Sequence, residues 1–334
     1  MGQSDIVLNT YMRRDDRIQS VLEYWMGEKL PEDWRYRTED GLYPLRNSKG
    51  KISFRQRDIV KRIHTAGGTI FLGLENQTDY NLIFPWRVLE MDTLFYGREI
   101  EEIQEKNRTK KYAYGSEDDF MYYYGRSDRL SPILNLTLYW GKKEWKSPLC
   151  LRDMMNLNFL PDKLVQLVGD YKVHLISMRS IKEEDLEKMN SDLKYVLGIL
   201  RHSDSRKEYV NYVFRNRDFF RRIPRSALDV IDVCTKIKNL RKYISYADNP
   251  EKGEEVADMC QALIDIEKHA LDRGIKQGRK QGIEQGIKQG EISLLCTLVL
   301  DGILSVKDAA ERSGLTESGF RKKLAKFNAR KSRI

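Results

Sequence analysis

Residues 51–96 read KISFRQRDIVKRIHTAGGTIFLGLENQTDYNLIFPWRVLEMDTLFY, and the fold turns on how they are read. Arg57 to Ile63 mixes Ile and Val with charge, Thr65-Ala66-Gly67-Gly68 supplies a tight turn, and Thr69 to Leu74 is an almost unbroken apolar run. This pattern predicts two strands joined by a turn, the second buried on both faces, followed by a helix that Pro85 can open. Strand side chains alternate, so Glu75 and Gln77 share one face while Asn76 takes the other. Pairing about Gly67-Gly68 brings Asp58 beside Glu75. Two carboxylates on neighbouring strands, with the carbonyl between Glu75 and Gln77, form an all-oxygen set suited to Mg²⁺ or Mn²⁺. The competing reading makes Asp58 and Glu75 ordinary solvated acids.

Outward from this stretch, Asp15 to Gly27 places Ile18, Val21, Leu22, Trp25 and Met26 at helical spacing and ends on glycine, as a helix covering one sheet face should. Its acids, Asp15, Asp16 and Glu23, either answer the helix dipole or approach the metal. Lys29 to Lys51, broken by Pro and Gly, is loop with short strands. On the helix after Pro85, Arg87 either meets a phosphate or pairs with Glu90 or Asp92. Lys106, Arg108, Lys110 and Lys111 beside Tyr112 and Tyr114 make a basic stretch interleaved with aromatics, either a nucleic-acid contact or a solvated helix end. Ile133 to Trp140 and Tyr171 to Ser177 are further strands, with His174 packed in the second. Ser180 to Ala247 is helical by periodicity. Arg215 to Arg225 clusters arginines around Phe219 and Phe220, either a nucleic-acid contact or, by default, exposed arginines over packed rings.

The pieces Arg57-Asp58, GLENQ (Gly73 to Gln77), PWRVLEMDTLFY (Pro85 to Tyr96) and the strand ending Tyr139-Trp140-Gly141 together resemble the recombination-promoting nuclease and YhgA-like transposase family. That resemblance covers roughly Asp5 to Ser177. It implies a PD-(D/E)XK restriction-endonuclease-like core, an α/β fold with a central mixed sheet flanked by helices and a helical C-terminal region. Carried over by position, Asp58 and Glu75 are the implied metal ligands, and Asp58, Glu75 and Gln77 the catalytic set. Gln77 departs from the Lys of the wider fold and supplies no positive charge, which leaves that part to Lys61 or Arg87.

The C-terminal third carries an internal repeat, DRGIKQGRKQGIEQGIKQGE, with Gly at 274, 278, 282, 286 and 290. Glycine costs a helix about 1 kcal/mol relative to Ala, so the row reads either as a linker or as a helix face that another backbone approaches closely. Ser305 to Phe327 then predicts two helices about Gly314-Leu315, packed through Ala310 and Phe320. Arg321, Lys322 and Lys323 on the second, with the basic tail NARKSRI, suit phosphate contacts; a capping helical hairpin is the alternative.

Composition bounds these readings. The 334 residues are 40% hydrophobic, enough for a real core, and a net charge of +9 permits a polyanionic partner without locating one. Cys150, Cys234, Cys260 and Cys296 lack zinc spacing and read as reduced. With no signal-like N-terminus and no apolar run of about 18 residues, the expectation is a cytoplasmic protein without a membrane span. The expected segments are a nuclease-like domain at 1–180, a helical region at 181–268, the Gly-repeat helix or linker at 269–292 and a basic helix-turn-helix-like segment at 293–334. The expected activity is Mg²⁺-dependent hydrolysis of DNA phosphodiesters, with DNA as partner and a homo-oligomer through the Gly-repeat helix. Its rivals are a non-cleaving DNA-binding or assembly protein that keeps the fold, and an RNA-directed nuclease.

Overall fold

The computed structural model describes residues 2–46, 52–109, 120–121, 123–235, 237, 240–248 and 253–331. The Lys110, Lys111, Tyr112 and Tyr114 part of the basic stretch, and the end of the basic tail, lie outside them. The chain forms two units, Met1–Leu263 and Ile264–Ile334.

The first unit begins with α1 (Gln3–Met12) and α2 (Asp15–Met26). The second helix stops where its sequence demands: Gly27 adopts φ 74°, a left-handed conformation that suits glycine, and donates its N–H to the Glu23 carbonyl. Strands β1 (Arg35–Glu39), β2 (Leu42–Arg46), β3 (Ile52–Gln56), β4 (Ile59–Thr65) and β5 (Gly68–Gln77) follow, then α3 (Phe84–Thr109). After it come β6 (Phe120–Met121), β7 (Tyr124–Gly125), β8 (Ile133–Tyr139) and β9 (His174–Ser177). The main sheet has the order β1-β4-β5-β8-β9. Its β1, β4 and β5 run antiparallel and its β5, β8 and β9 parallel, so it is mixed. The β4–β5 hairpin closes with Thr65 opposite Gly68 and keeps Ile59 opposite Leu74.

The first strand expected to begin at Arg57 begins at Ile59. Arg57 and Asp58 instead lie in the bend between β3 and β4, where the Arg57 N–H donates to the Gly41 carbonyl. The strand expected over Tyr171 to Ser177 shortens to His174–Ser177, preceded by an isolated bridge between Lys172 and Cys150. His174, expected to be packed, is exposed at the sheet's edge strand, its ring edge-on to Trp25.

Two helical layers enclose the sheet. Helix α3 provides the crossover that a parallel β5–β8 pair requires. It buries Phe84, Val88, Met91 and Phe95 on one face of the sheet, with Phe95 against Phe71. On the opposite face α1 packs over β5, and Leu72 and Leu74 are fully buried. Helix α4 (Asp162–Val165) lies between β8 and β9 in the chain, and α5 (Glu183–Glu187), α6 (Leu193–His202), α7 (Arg206–Arg215), α8 (Arg217–Phe220) and α9 (Arg225–Thr235) follow β9, with short strands β10 (Ile223–Pro224), β11 (Tyr246–Ala247) and β12 (Val256–Ala257). Helix α9 packs on both α1 and α6, which places the helical region in the same compact unit as the sheet. The Arg17 guanidinium adds a bidentate clamp on Asp192, both contacts at 2.7 Å. Phe220 is buried and Phe219 stacks on Tyr195, while Arg215 and Arg217 stay exposed, as the spacing suggested.

Helix α10 (Met259–Leu300) runs unbroken through the glycine repeat, with every side chain from Glu267 to Glu291 exposed. The second unit adds α11 (Val306–Ser313) and α12 (Glu317–Lys331). Ser305 caps α11 by accepting the Asp308 N–H at 3.1 Å, and Gly314 turns the chain at φ 65°. Cys296, Ala309, Ala310 and Phe320 are buried together, so the helix pair anticipated around Gly314 is present. Among the described residues no helix is long and apolar enough to cross a membrane.

Candidate functional site

At the carboxyl end of β5 the alternation of side chains sends neighbouring residues into different chemistry. Asn76 turns toward α1, donates to Asn9 Oδ1 at 2.9 Å and accepts the Trp140 indole N–H at 2.9 Å. Glu75 and Gln77 share the α3 face. Asp58, held in the bend before β4, accepts the Asn9 side-chain N–H at 3.0 Å and the Asn76 backbone N–H at 2.8 Å. The strand's own backbone thus fixes one carboxylate at the side of the other.

Glu75 is 2% exposed, and its Oε1 has no hydrogen-bond partner. Burial, followed by the charge of Asp58, pushes its carboxyl up to about 8, against the opposing pull of Arg57 and Arg87. Asp58 is also raised by burial, against its hydrogen bonds from Asn9 and Asn76. An unsatisfied buried carboxylate oxygen is costly and calls for a reason. Together with the spare lone pairs of Asp58 it offers part of a donor set for one hard divalent cation, of the kind that keeps several of its waters. Among the described residues no group of three His, Cys, Asp or Glu comes together that could hold a metal.

The remaining expected residues separate. Arg87 is half-buried, acts electrostatically on both carboxylates and makes no ion pair among the described residues. The partners anticipated for it are taken, Glu90 by Arg55 and Asp92 by Arg57. Gln77 is half-buried, and its amide makes no hydrogen bond among the described residues. Lys61 is turned to the other face of the sheet, 3% exposed, where it donates to Asp15 at 2.6 Å and Thr38 at 2.8 Å. Of the α2 acids, Asp15 is held by Lys61, Asp16 by Arg14 and Glu23 by Lys29. Arg321, Lys322 and Lys323 lie exposed on α12 in the second unit, with Arg321 paired to Glu317 at 2.7 Å.

Sequence reasoning passed over two features of this end of the sheet. One is Asn9, whose only signal is an amide among the apolar residues of α1. The other is a buried cluster beneath Gly73. There Arg57 donates to Asp92 and Asn135, Asn135 donates to Asp92 at 2.6 Å, and the Tyr171 hydroxyl donates to Asp92 as well. A Cβ at Gly73 would overlap the Arg57 guanidinium, which is the physical reason for glycine in GLENQ.

Comparison with known proteins reaches a different part of the chain from the carboxylates. No curated protein and no solved structure matches it. Residues 112–235, which include Asn135, Trp140, Tyr171 and helices α5 to α9, match the family described as Putative transposase, YhgA-like.

Proposed function

We propose that this chain is a metal-dependent endonuclease of the PD-(D/E)XK kind, hydrolysing DNA phosphodiesters in recombination or in the movement of mobile DNA. The family match supports a DNA partner and the broad reaction class. The observation that carries the chemistry is the unsatisfied oxygen of Glu75, buried beside Asp58 with Arg87 in electrostatic reach. When bound, a Mg²⁺ or Mn²⁺ ion supplies Lewis-acid polarisation of the phosphoryl group and a more acidic water. Asp58 and Glu75 would hold it, and Asn9 and the Asn76 backbone fix the Asp58 carboxylate in place. Gln77, on the Glu75 face, orients the attacking water through its amide. Arg87 offsets charge on the phosphate as the water oxygen bonds to phosphorus and the leaving alkoxide takes a proton.

Plasmid cleavage with and without Mg²⁺ tests this. Asp58→Ala and Glu75→Ala should each lower the rate at least about 100-fold with the fold intact, and Gln77→Ala should weaken cleavage without abolishing it. Activity that falls only in step with melting temperature would make the carboxylates structural. The second reading, a non-cleaving DNA-binding protein, draws on the two hydrogen bonds that already occupy Asp58 and on the exposed cations of α12. DNA binding without cleavage in any divalent metal would favour it.

A further inference from the structure

In an open sheet, ligands meet the chain beyond the carboxyl ends of parallel strands. Here those ends are Gln77 of β5 and Tyr139 of β8, and the segments that leave them touch. Trp140 donates its N–H to the Gln77 carbonyl at 2.8 Å, and Gly141 lies against the Thr78 carbonyl. Trp145 then packs edge-on against Phe84, the first residue of α3. The two segments therefore meet at the end of the sheet that also carries Glu75.

The surface there is apolar in an unusual way. Tyr80 is 43% exposed and Trp86 48%, and neither ring contacts another ring among the described residues. Leu82 and Ile83 between them are exposed too. Adjacent apolar side chains of this size left in water mark a binding surface. Its charge narrows the occupant. Arg87 follows Trp86 directly, and Lys143 and Lys146 on the facing segment are exposed and make no ion pair among the described residues, against two carboxylates, Asp79 on the Tyr80 side and Glu144 between the two lysines. The first turn of α3 carries no acidic residue, so its positive dipole end also favours an anion. Aromatic faces interleaved with cations match one polymer in particular, a single strand whose bases stack while its phosphates meet the cations. A duplex hides its base faces and has no use for Tyr80 and Trp86.

We propose that Tyr80 and Trp86 form a stacking platform for unpaired bases, so that the substrate reaching Glu75 is single-stranded DNA or a locally melted end. The inference rests on the nuclease reading for its reaction and on the exposed rings alone for binding. The test is equilibrium binding by fluorescence anisotropy in EDTA, with the full chain and three labelled probes: a single-stranded oligonucleotide, its duplex, and a strand of the same length with abasic sites at its centre. Tyr80→Ala and Trp86→Ala should each weaken single-strand binding about 5- to 100-fold, with Trp86→Phe within about threefold of the parent. Duplex and abasic strand should bind more weakly and be indifferent to these substitutions. Equal losses on duplex or abasic strand, or no loss on the single strand, overturn the platform. Cleavage is scored separately with Mg²⁺: base-dependent binding in a chain that cuts nothing sinks the nuclease reading and leaves the platform standing.

Discussion

Two buried polar clusters grow from adjacent residues, Arg57 and Asp58, and they are finished differently. On the Arg57 side Asp92 accepts from Arg57, Asn135 and Tyr171, so both its oxygens are used. On the Asp58 side Glu75 is as deeply buried, and yet one oxygen is left without a partner. Desolvation is the largest influence on both Asp92 and Glu75, but Asp92 has a contacting cation and side-chain hydrogen bonds working against it, whereas Glu75 has the charges of Arg57 and Arg87, which it does not pair with, and a backbone hydrogen bond from Asp58. The Asp92 carboxylate is closed, although the Arg57 Nε beside it has no partner either, and a satisfied carboxylate specifies packing; the contrast is between the two acids, and the open one stands at the end of a strand.

The comparison breaks hardest at Asp92. Asp92→Ala strands the buried Arg57 charge, and removing one partner of a buried pair costs about 3–5 kcal/mol. Chemical denaturation should show a loss of that size together with reduced folded yield. Full stability with lost cleavage would instead move Asp92 into the reaction.

Gly73→Ala attacks the same cluster from the backbone. The added methyl must displace Arg57 or Asn135, and overpacking of this sort costs about 1–3 kcal/mol. Thermal unfolding of Gly73→Ala near the parent value would mean that Arg57 has another resting place and that the cluster is not closed.

The open cluster should respond with the opposite sign. Glu75 has a folded value of about 8 against an ordinary 4.5, so its contribution to stability is complete below about 4.5 and is lost as pH rises through 8. Glu75→Gln keeps the shape without the charge. In EDTA at pH 8 it should melt a few degrees higher than the parent while cleaving nothing. Adding Mg²⁺ should raise the parent's melting temperature and leave the variant's unchanged. A parent that ignores Mg²⁺ would remove the cation from the site.

Much of this was legible in the sequence because local signals and tertiary demands agree. The turn at Thr65 to Gly68 sets the β4–β5 register, the register sets Asp58 against Glu75, and alternation divides Glu75 from Asn76. Lys61 escaped because alternation gives its side but not its partner, and Asp15 on α2 holds it away from the carboxylates. Asn9 and the Arg57 cluster escaped because their partners are between 35 and 79 residues away along the chain, and no local periodicity encodes such meetings. The α9 layer over α1 was hidden for the same reason.

The smallest expected effect contrasts Gly73 with the glycines of α10. At Gly278, Gly282 and Gly286 a Cβ meets nothing within 4 Å, so alanine there has no clash within the chain and adds about 1 kcal/mol of helix propensity per site. Hydrogen exchange in α10 should slow in each Gly→Ala variant, the reverse of the outcome at Gly73. Leucine separates the two readings of the row. Exposed Leu271, Ile275, Ile283 and Ile287 flank the glycines, and five glycines in one helix are weak support for an isolated rod. If a second copy packs on this face, Leu at Gly278, Gly282 and Gly286 blocks its approach, and light scattering should give a smaller mass despite the more helical segment. An unchanged mass would leave the repeat as a linker and remove the homo-oligomer from the account.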